Sequence, residues 1–206
     1  MTTETKAYPV TLKGELTVMP SRWIWIFKCI LGIPHYIVLC FLWLAFIVVS
    51  IIAFFAIVFT GKYPKGLFDF NVGVLRWSWR VGFYSYQALG TDKYPPFSLD
   101  PDPNYPADLD IPYPEKLSQG LVWIKWWLLA IPHYIIVGIF QGGAGWKMGG
   151  LTFILAFFGA IALLFTGKYP AEIFKLVIGM DRWVYRVLAY TALMRDEYPP
   201  FRLWDS

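Results

Sequence analysis

The chain is poor in the side chains that do chemistry and poor in charge. Its 206 residues hold two histidines and two cysteines, and charged residues make up 16%, against about 25% in an ordinary globular domain. Cys29 and Cys40 stand eleven positions apart on one expected helix. That is too far for a disulfide, so both read as small buried hydrophobes and indicate no redox compartment. No Cys/His group has zinc spacing, and no Cys-x-x-Cys-His haem attachment occurs. There is no Gly-x-Ser-x-Gly elbow, no intramembrane carboxylate pair, and no Gly-rich loop ending in Gly-Lys-Ser/Thr before a helix. Hydrolase, proton-relay and phosphate-loop chemistry therefore have no anchor, and the chain reads as non-enzymatic. A net charge of +4, dispersed among aromatics, and the lack of a DNA- or RNA-binding motif exclude nucleic acid as the expected partner. Residues 1–19 are polar with a Tyr8-Pro9 break, unlike the basic-then-apolar layout of a cleaved signal.

What the chain does have is apolar and aromatic mass. Hydrophobic residues reach 57% and aromatics 20%, with 11 Trp and 13 Tyr. This composition predicts an all-α integral membrane protein with rings anchored at the bilayer interfaces.

The sequence also repeats itself. Tyr8-Pro9-Val10-Thr11-Leu12 resembles Tyr105-Pro106-Ala107-Asp108-Leu109, and both read as short extended segments able to pair. Ile33-Pro34-His35-Tyr36 recurs as Ile131-Pro132-His133-Tyr134, and Thr60-Gly61-Lys62-Tyr63-Pro64 as Thr166-Gly167-Lys168-Tyr169-Pro170. Arg76-Trp77 with Arg80 recurs as Arg182-Trp183 with Arg186, and Tyr94-Pro95-Pro96-Phe97 as Tyr198-Pro199-Pro200-Phe201. The units run over 1–97 and 105–206, joined by a Pro- and Asp-rich linker at 98–115 that overlaps the second.

The offset between copies is 98 at Ile33 and Ile131 but 106 at Thr60 and Thr166, so the second copy gains eight residues in between. These fall in a glycine-rich stretch at 141–150 containing Lys147, poor material for the middle of a helix. The expectation is a helical hairpin in each copy, transmembrane or partly re-entrant, over 23–60 and 121–167. In the first copy it turns around Leu42-Trp43-Leu44-Ala45. A single span per copy, 37–59 in the first, is the rival. It would split Lys62, Arg76 and Arg80 from their copies across the membrane. Four spans keep all 18 basic residues but Lys147 at one face. An amphipathic helix follows each hairpin, at 66–89 and 172–193, expected to lie at the headgroups with a packed, buried version as the alternative.

Within this layout Arg76, Arg80, Arg182 and Arg186, with Lys62 and Lys168, are the candidate contacts to lipid headgroups or a partner, since guanidinium forks match phosphate. Their alternative is structural, with Asp69, Asp92 or Asp196 as partners. His35 and His133 hold equivalent positions and are candidate axial ligands of a haem; the simpler reading has each satisfying carbonyls freed by the preceding proline. Gly-Lys-Tyr-Pro reads as a helix C-cap followed by a snorkelling lysine.

In combination, Ile-Pro-His-Tyr, Phe-Thr-Gly-Lys-Tyr-Pro, Arg-Trp-x-x-Arg and Tyr-Pro-Pro-Phe resemble a bacterial tandem-repeat membrane family classed as a domain of unknown function, DUF4389. The resemblance implies a bacterial cytoplasmic membrane and supplies no activity, ligand or catalytic residue. The expected protein is a multi-pass scaffold or accessory subunit, with termini and basic helices on the cytoplasmic side, meeting lipids and other membrane subunits or itself. A haem-binding electron-transfer subunit and a small transporter or lipid-handling protein are the alternatives.

Overall fold

A computed structural model describes residues 8–142 and 150–204 of the chain, and in it the two Tyr-Pro segments pair with each other. Strands β1 (Thr11–Gly14) and β2 (Ala107–Asp110) form an antiparallel ribbon with Thr11 opposite Asp110, Leu12 opposite Leu109 and Lys13 opposite Asp108. Alternation drives the pairing: Val10, Leu12, Ala107, Leu109 and Ile111 are buried, and Thr11, Lys13 and Asp110 stand at the surface. Leu12 and Leu109 are also counterparts in the repeat. Strands that place a residue opposite its own copy are related by a two-fold axis along the sheet normal.

The ribbon covers two long helices, α3 (Lys65–Tyr84) and α6 (Ala171–Thr191), in a crossed arrangement: α3 packs under β2 and α6 under β1. Each begins after a Tyr-Pro pair, where Pro64 or Pro170 holds the N-cap position. The sequence expectation put these helices at the headgroups. They are instead the middle of the fold, with Phe68, Val74, Leu75, Trp79 and Phe83 of α3, and Val177, Met180, Tyr185 and Ala189 of α6, all buried. Their apolar residues surround the helix rather than forming one stripe, which is the pattern of a helix packed on both sides.

The third layer corrects the hairpins. After a short turn of 3-10 helix (Ile24–Phe27) and a single helical turn α1 (Lys28–Leu31), α2 runs without interruption over Ile33–Thr60. No residue in Leu42-Trp43-Leu44-Ala45 can break a helix, and Trp43 Nε1 donates to Ser78 Oγ of α3 at 3.1 Å. In the second copy the same rod is cut into α4 (Ile131–Gln141) and α5 (Leu151–Thr166). Gly142 ends α4 at φ 84°. Thr152 Oγ1 donates to the Phe140 carbonyl at 2.8 Å, and a Cβ on Gly150 would collide with that carbonyl, so α5 resumes where α4 stops. Contacts with the α6 side run in one direction: His133 meets Trp183, Gln141 meets Asp181, and Gly159 of α5 lies under Tyr169 at the other end. A hairpin would reverse that order. α4 and α5 thus lie along one helix line; Lys147, expected on a turn at the opposite face, lies outside the described residues.

A second, smaller insertion is also visible. Five positions separate Lys28 from Ile33 but six separate Lys125 from Ile131. The extra residue is absorbed as a π turn over Lys125–Leu129, where the first copy has the α1 turn. Gly61 and Gly167 close α2 and α5 in the left-handed region (φ 67° and 72°), as C-caps. Gly61 then meets Leu117 and Gln119 at the start of the second repeat, and Gly167 meets Arg22 at the start of the first. The rods are therefore antiparallel, as the two-fold axis requires.

Candidate membrane-facing surface

The outer side of the rods is uncovered and apolar. On α2, Ile33, Ile37, Phe41, Leu44, Val48, Ile51, Phe55 and Phe59 follow one another at helical spacing, and all are exposed, Phe41 by 68% and Phe59 by 78%. Ile135, Ile139, Phe153, Phe158 and Phe165 continue the surface on α4 and α5, and Trp23, Phe27, Trp123 and Trp127 on the turns before them. No Asp, Glu, Lys or Arg occurs from Ile33 to Thr60, and α2 is long and apolar enough to cross a membrane by length and composition. An apolar face of this extent marks an interaction surface. Cys29 and Cys40 lie exposed, not buried as the sequence suggested.

Lys62 and Lys168 follow the C-caps at opposite ends of the rod layer, both exposed. They remain candidates for headgroups. The arginines do not. Arg76 Nε donates to the Leu109 carbonyl at 2.9 Å and pairs with Asp108 at 3.1 Å, and Arg80, fully buried, reaches the Asp100 carbonyl at 2.8 Å and Asp108 at 3.4 Å. Their copies act alike: Arg182 donates to the Leu12 carbonyl at 3.3 Å, and buried Arg186 to the Arg202 carbonyl at 3.1 Å. The guanidinium forks hold the ribbon and the segments after Tyr-Pro-Pro-Phe, with Arg76, Arg80 and Arg186 buried and Arg182 half-buried. Asp69 pairs with Lys65 rather than an arginine.

Asp92 and Asp196 have another partner that sequence reasoning missed. Lys28 Nζ meets Asp92 at 2.9 Å and the Thr91 carbonyl at 2.7 Å; Lys125 Nζ meets Asp196 at 2.7 Å and the Arg195 carbonyl at 3.0 Å. Both lysines are fully buried, and burial pulls their pKa below the usual lysine value against the pull of the carboxylates. Each pair ties the turn before a rod to the loop after α3 or α6. The signal was present in the repeat, because Lys28 and Lys125 occupy matching positions in their copies.

The histidines are explained by the other motifs. His35 Nδ1 accepts from Trp77 Nε1 at 3.0 Å and stacks on Phe97, 4.0 Å between centroids; His133 Nδ1 accepts from Trp183 Nε1 at 3.1 Å and stacks on Phe201 at 4.5 Å. Both rings are fully buried. The Arg-Trp and Tyr-Pro-Pro-Phe motifs thus close on Ile-Pro-His within each repeat. Each ring is enclosed by aromatics of its own repeat, with Nδ1 engaged by tryptophan and Nε2 buried without a hydrogen-bond partner among the described residues.

A polar cluster on α6 breaks the symmetry. Asp181, fully buried on α6, accepts from Gln87 Nε2 at 2.7 Å and Gln141 Nε2 at 3.2 Å. Its counterpart in the first copy is Leu75. Burial pushes its carboxyl up to about 8, the two amides opposing.

The matched motifs and the two structural copies coincide with the family model described as "Domain of unknown function (DUF4389)", which matches residues 22–98 and 121–202. The chain belongs to this family. It carries two DUF4389 regions whose rods, core helices and His–Trp–Phe clusters correspond one to one. Comparison with curated proteins and with solved structures gives no match. In both DUF4389 units the shared motifs build the fold; the apolar rod faces are left to face outward.

Proposed function

We propose that this DUF4389 protein is a non-enzymatic scaffold or accessory subunit seated in one leaflet of a bacterial membrane, rods down and ribbon up. The observation that carries the reading is the uncovered apolar face of α2, α4 and α5, combined with the direction of the pseudo-symmetry. The two-fold axis runs along the ribbon normal, through the core helices to the rods. With that axis along the bilayer normal, both apolar rods meet the same leaflet, and Lys62 and Lys168 lie around its rim, where they suit anionic headgroups. A spanning orientation would put the axis in the membrane plane and leave Lys13, Asp108 and Asp110 of the ribbon at mid-depth in hydrocarbon, at about 2.5–3.5 kcal/mol for each charge. The polar upper face is the surface offered to a partner.

Two measurements test this. Flotation with phosphatidylglycerol vesicles is expected to carry the wild-type chain, and Phe41→Glu with Phe158→Glu is expected to weaken that partitioning at least ~100-fold, since charges are costly in the apolar region. Single cysteines at positions 62 and 168, in a Cys29→Ser, Cys40→Ser background, are expected to react with an impermeant maleimide from the same side of the vesicle. Reaction from opposite sides would replace the seated reading with a spanning one.

A further inference from the structure

The repeat is closely two-fold, so a place where one half is open and the other filled points to use. Such a place lies between α2 and the start of the second repeat: a groove of about 540 Å³ walled by Phe46, Ile47, Ile51 and Phe55 on one side and Trp126, Tyr134 and the end of α6 on the other. That volume is within the range of about 300–1,000 Å³ usual for ligand clefts. Ile47, Ile51, Phe55, Trp126 and Tyr134 are each close to half exposed, so the groove opens on the same apolar face that the rods present.

The corresponding place between α5 and the start of the first repeat is full. Ile47 and Ile51 have Phe153 and Phe157 as counterparts, two stacked rings 6.3 Å apart. Phe157 meets Trp25 edge-on at 6.1 Å, and Phe153 meets Tyr86 at 6.0 Å. Tyr86 itself is anchored by its hydroxyl on the Trp25 carbonyl at 2.9 Å. It has no counterpart in the second copy. Eight positions separate Tyr84 from Asp92 and six separate Tyr190 from Asp196. Beyond the surplus, Ala88-Leu89 matches Ala192-Leu193, with both leucines left-handed at φ 52° and 64°.

The three hydroxyls of the open groove are already engaged inside the protein. Ser50 Oγ accepts from Asn71 Nδ2 at 3.1 Å, Thr191 Oγ1 donates to the Val187 carbonyl at 2.9 Å, and the Tyr134 hydroxyl donates to the Trp126 carbonyl. Apart from the Trp126 indole N–H, a ligand there is offered hydrocarbon contact, which selects an unbranched apolar chain over a polar molecule.

We infer that this groove holds one acyl chain of a membrane phospholipid, at a single site per protein because Tyr86, Phe153 and Phe157 occupy its twin. The inference rests on the seated reading above, because the groove reaches lipid only if the rod face does. The test is native mass spectrometry of the full chain released from phosphatidylglycerol nanodiscs, with flotation and circular dichroism run on the same samples. The wild-type chain is expected to retain one lipid. Ile47→Phe with Ile51→Phe, which copies the filled twin, is expected to retain none while still floating and folding. Tyr86→Ala with Phe157→Ile, which opens the twin, is expected to retain two, a gain that a misfolded chain cannot mimic. Equal retention by all three overturns the inference and leaves the seated reading standing; a wild-type chain that fails to float removes both. A protein dimer dissolved by the groove-filling pair would assign the groove to a second copy and also overturn it.

Discussion

Asp181 is a residue at which sequence symmetry and structural symmetry part. Its carboxyl sits where the first repeat has Leu75, with Gln87 and Gln141 against one oxygen and Tyr169 and Tyr185 nearby. In the unfolded chain it ionises near its ordinary 3.8; in the folded protein it keeps its proton to about 8. Between those values unfolding releases a proton, so this group makes stability fall as pH rises, by about 1.4 kcal/mol per pH unit, and the loss levels off above the folded value. Asp181→Asn keeps an acceptor for the two amides and cannot ionise. It is expected to match wild type near pH 4 and to exceed it by about 4 kcal/mol at pH 7 in chemical denaturation. A wild-type-minus-variant difference that stays flat across that window would refute the assignment.

The arginines show why a motif can be legible and its role not. Their spacing marked Arg76, Arg80, Arg182 and Arg186 as special, but a guanidinium fork fits a phosphate and a pair of backbone carbonyls equally well. Carbonyls carry no sequence signature. Arg80→Lys keeps the charge and loses the fork that reaches the Ser98 and Asp100 carbonyls and Asp108. It is expected to cost about 2–4 kcal/mol of stability, as for a disrupted buried ion pair, and to leave vesicle flotation unchanged wherever the chain remains folded. Weakened flotation in the folded variant would return the arginine to the lipid surface.

At the scale of elements, the periodic pattern located the apolar rods and the core helices but misjudged where the chain turns. Insertion of eight residues between aligned landmarks is equally compatible with a hairpin turn and with a loop extruded from a continuous helix. Only the neighbouring helix distinguishes them, through the order in which α4 and α5 pass along α6. The first copy held the clue: its apolar run lacks any Gly, Pro or charge over 37–59. Removal of 143–150 therefore joins α4 and α5 through residue 142 into a rod equal in length to α2. With Gly142→Ala to restore helix propensity, worth about 1 kcal/mol, the shortened chain is expected to show equal or higher thermal stability and undiminished helicity by circular dichroism. Loss of folding would mean that the inserted segment is needed to hold α4 against α6.

The same alignment that exposes the insertions also shows that the two repeats are not two domains. Sequence boundaries at 1–97 and 105–206 follow the motifs, whereas the packing crosses them. β1 of the first repeat lies on α6 of the second, β2 on α3 of the first, and the ribbon exists only when both are present. Arg76 donates to Leu109 and Arg182 to Leu12. Gln87 reaches Asp181, and the rod ends rest on the opposite repeat. A lone repeat would therefore expose the core side of its α3 or α6 and leave its arginines without their carbonyls, a cost well beyond the 5–15 kcal/mol by which a domain is ordinarily stable. Fragments 1–103 and 104–206 are each expected to lack cooperative thermal unfolding when produced alone. Co-expressed, they are expected to associate and recover it, because the break falls in the linker between Asp102 and Tyr105, outside both strands. A fragment that unfolds cooperatively by itself would show that the duplication can be undone, and that the axis through Leu12 and Leu109 joins two independent units.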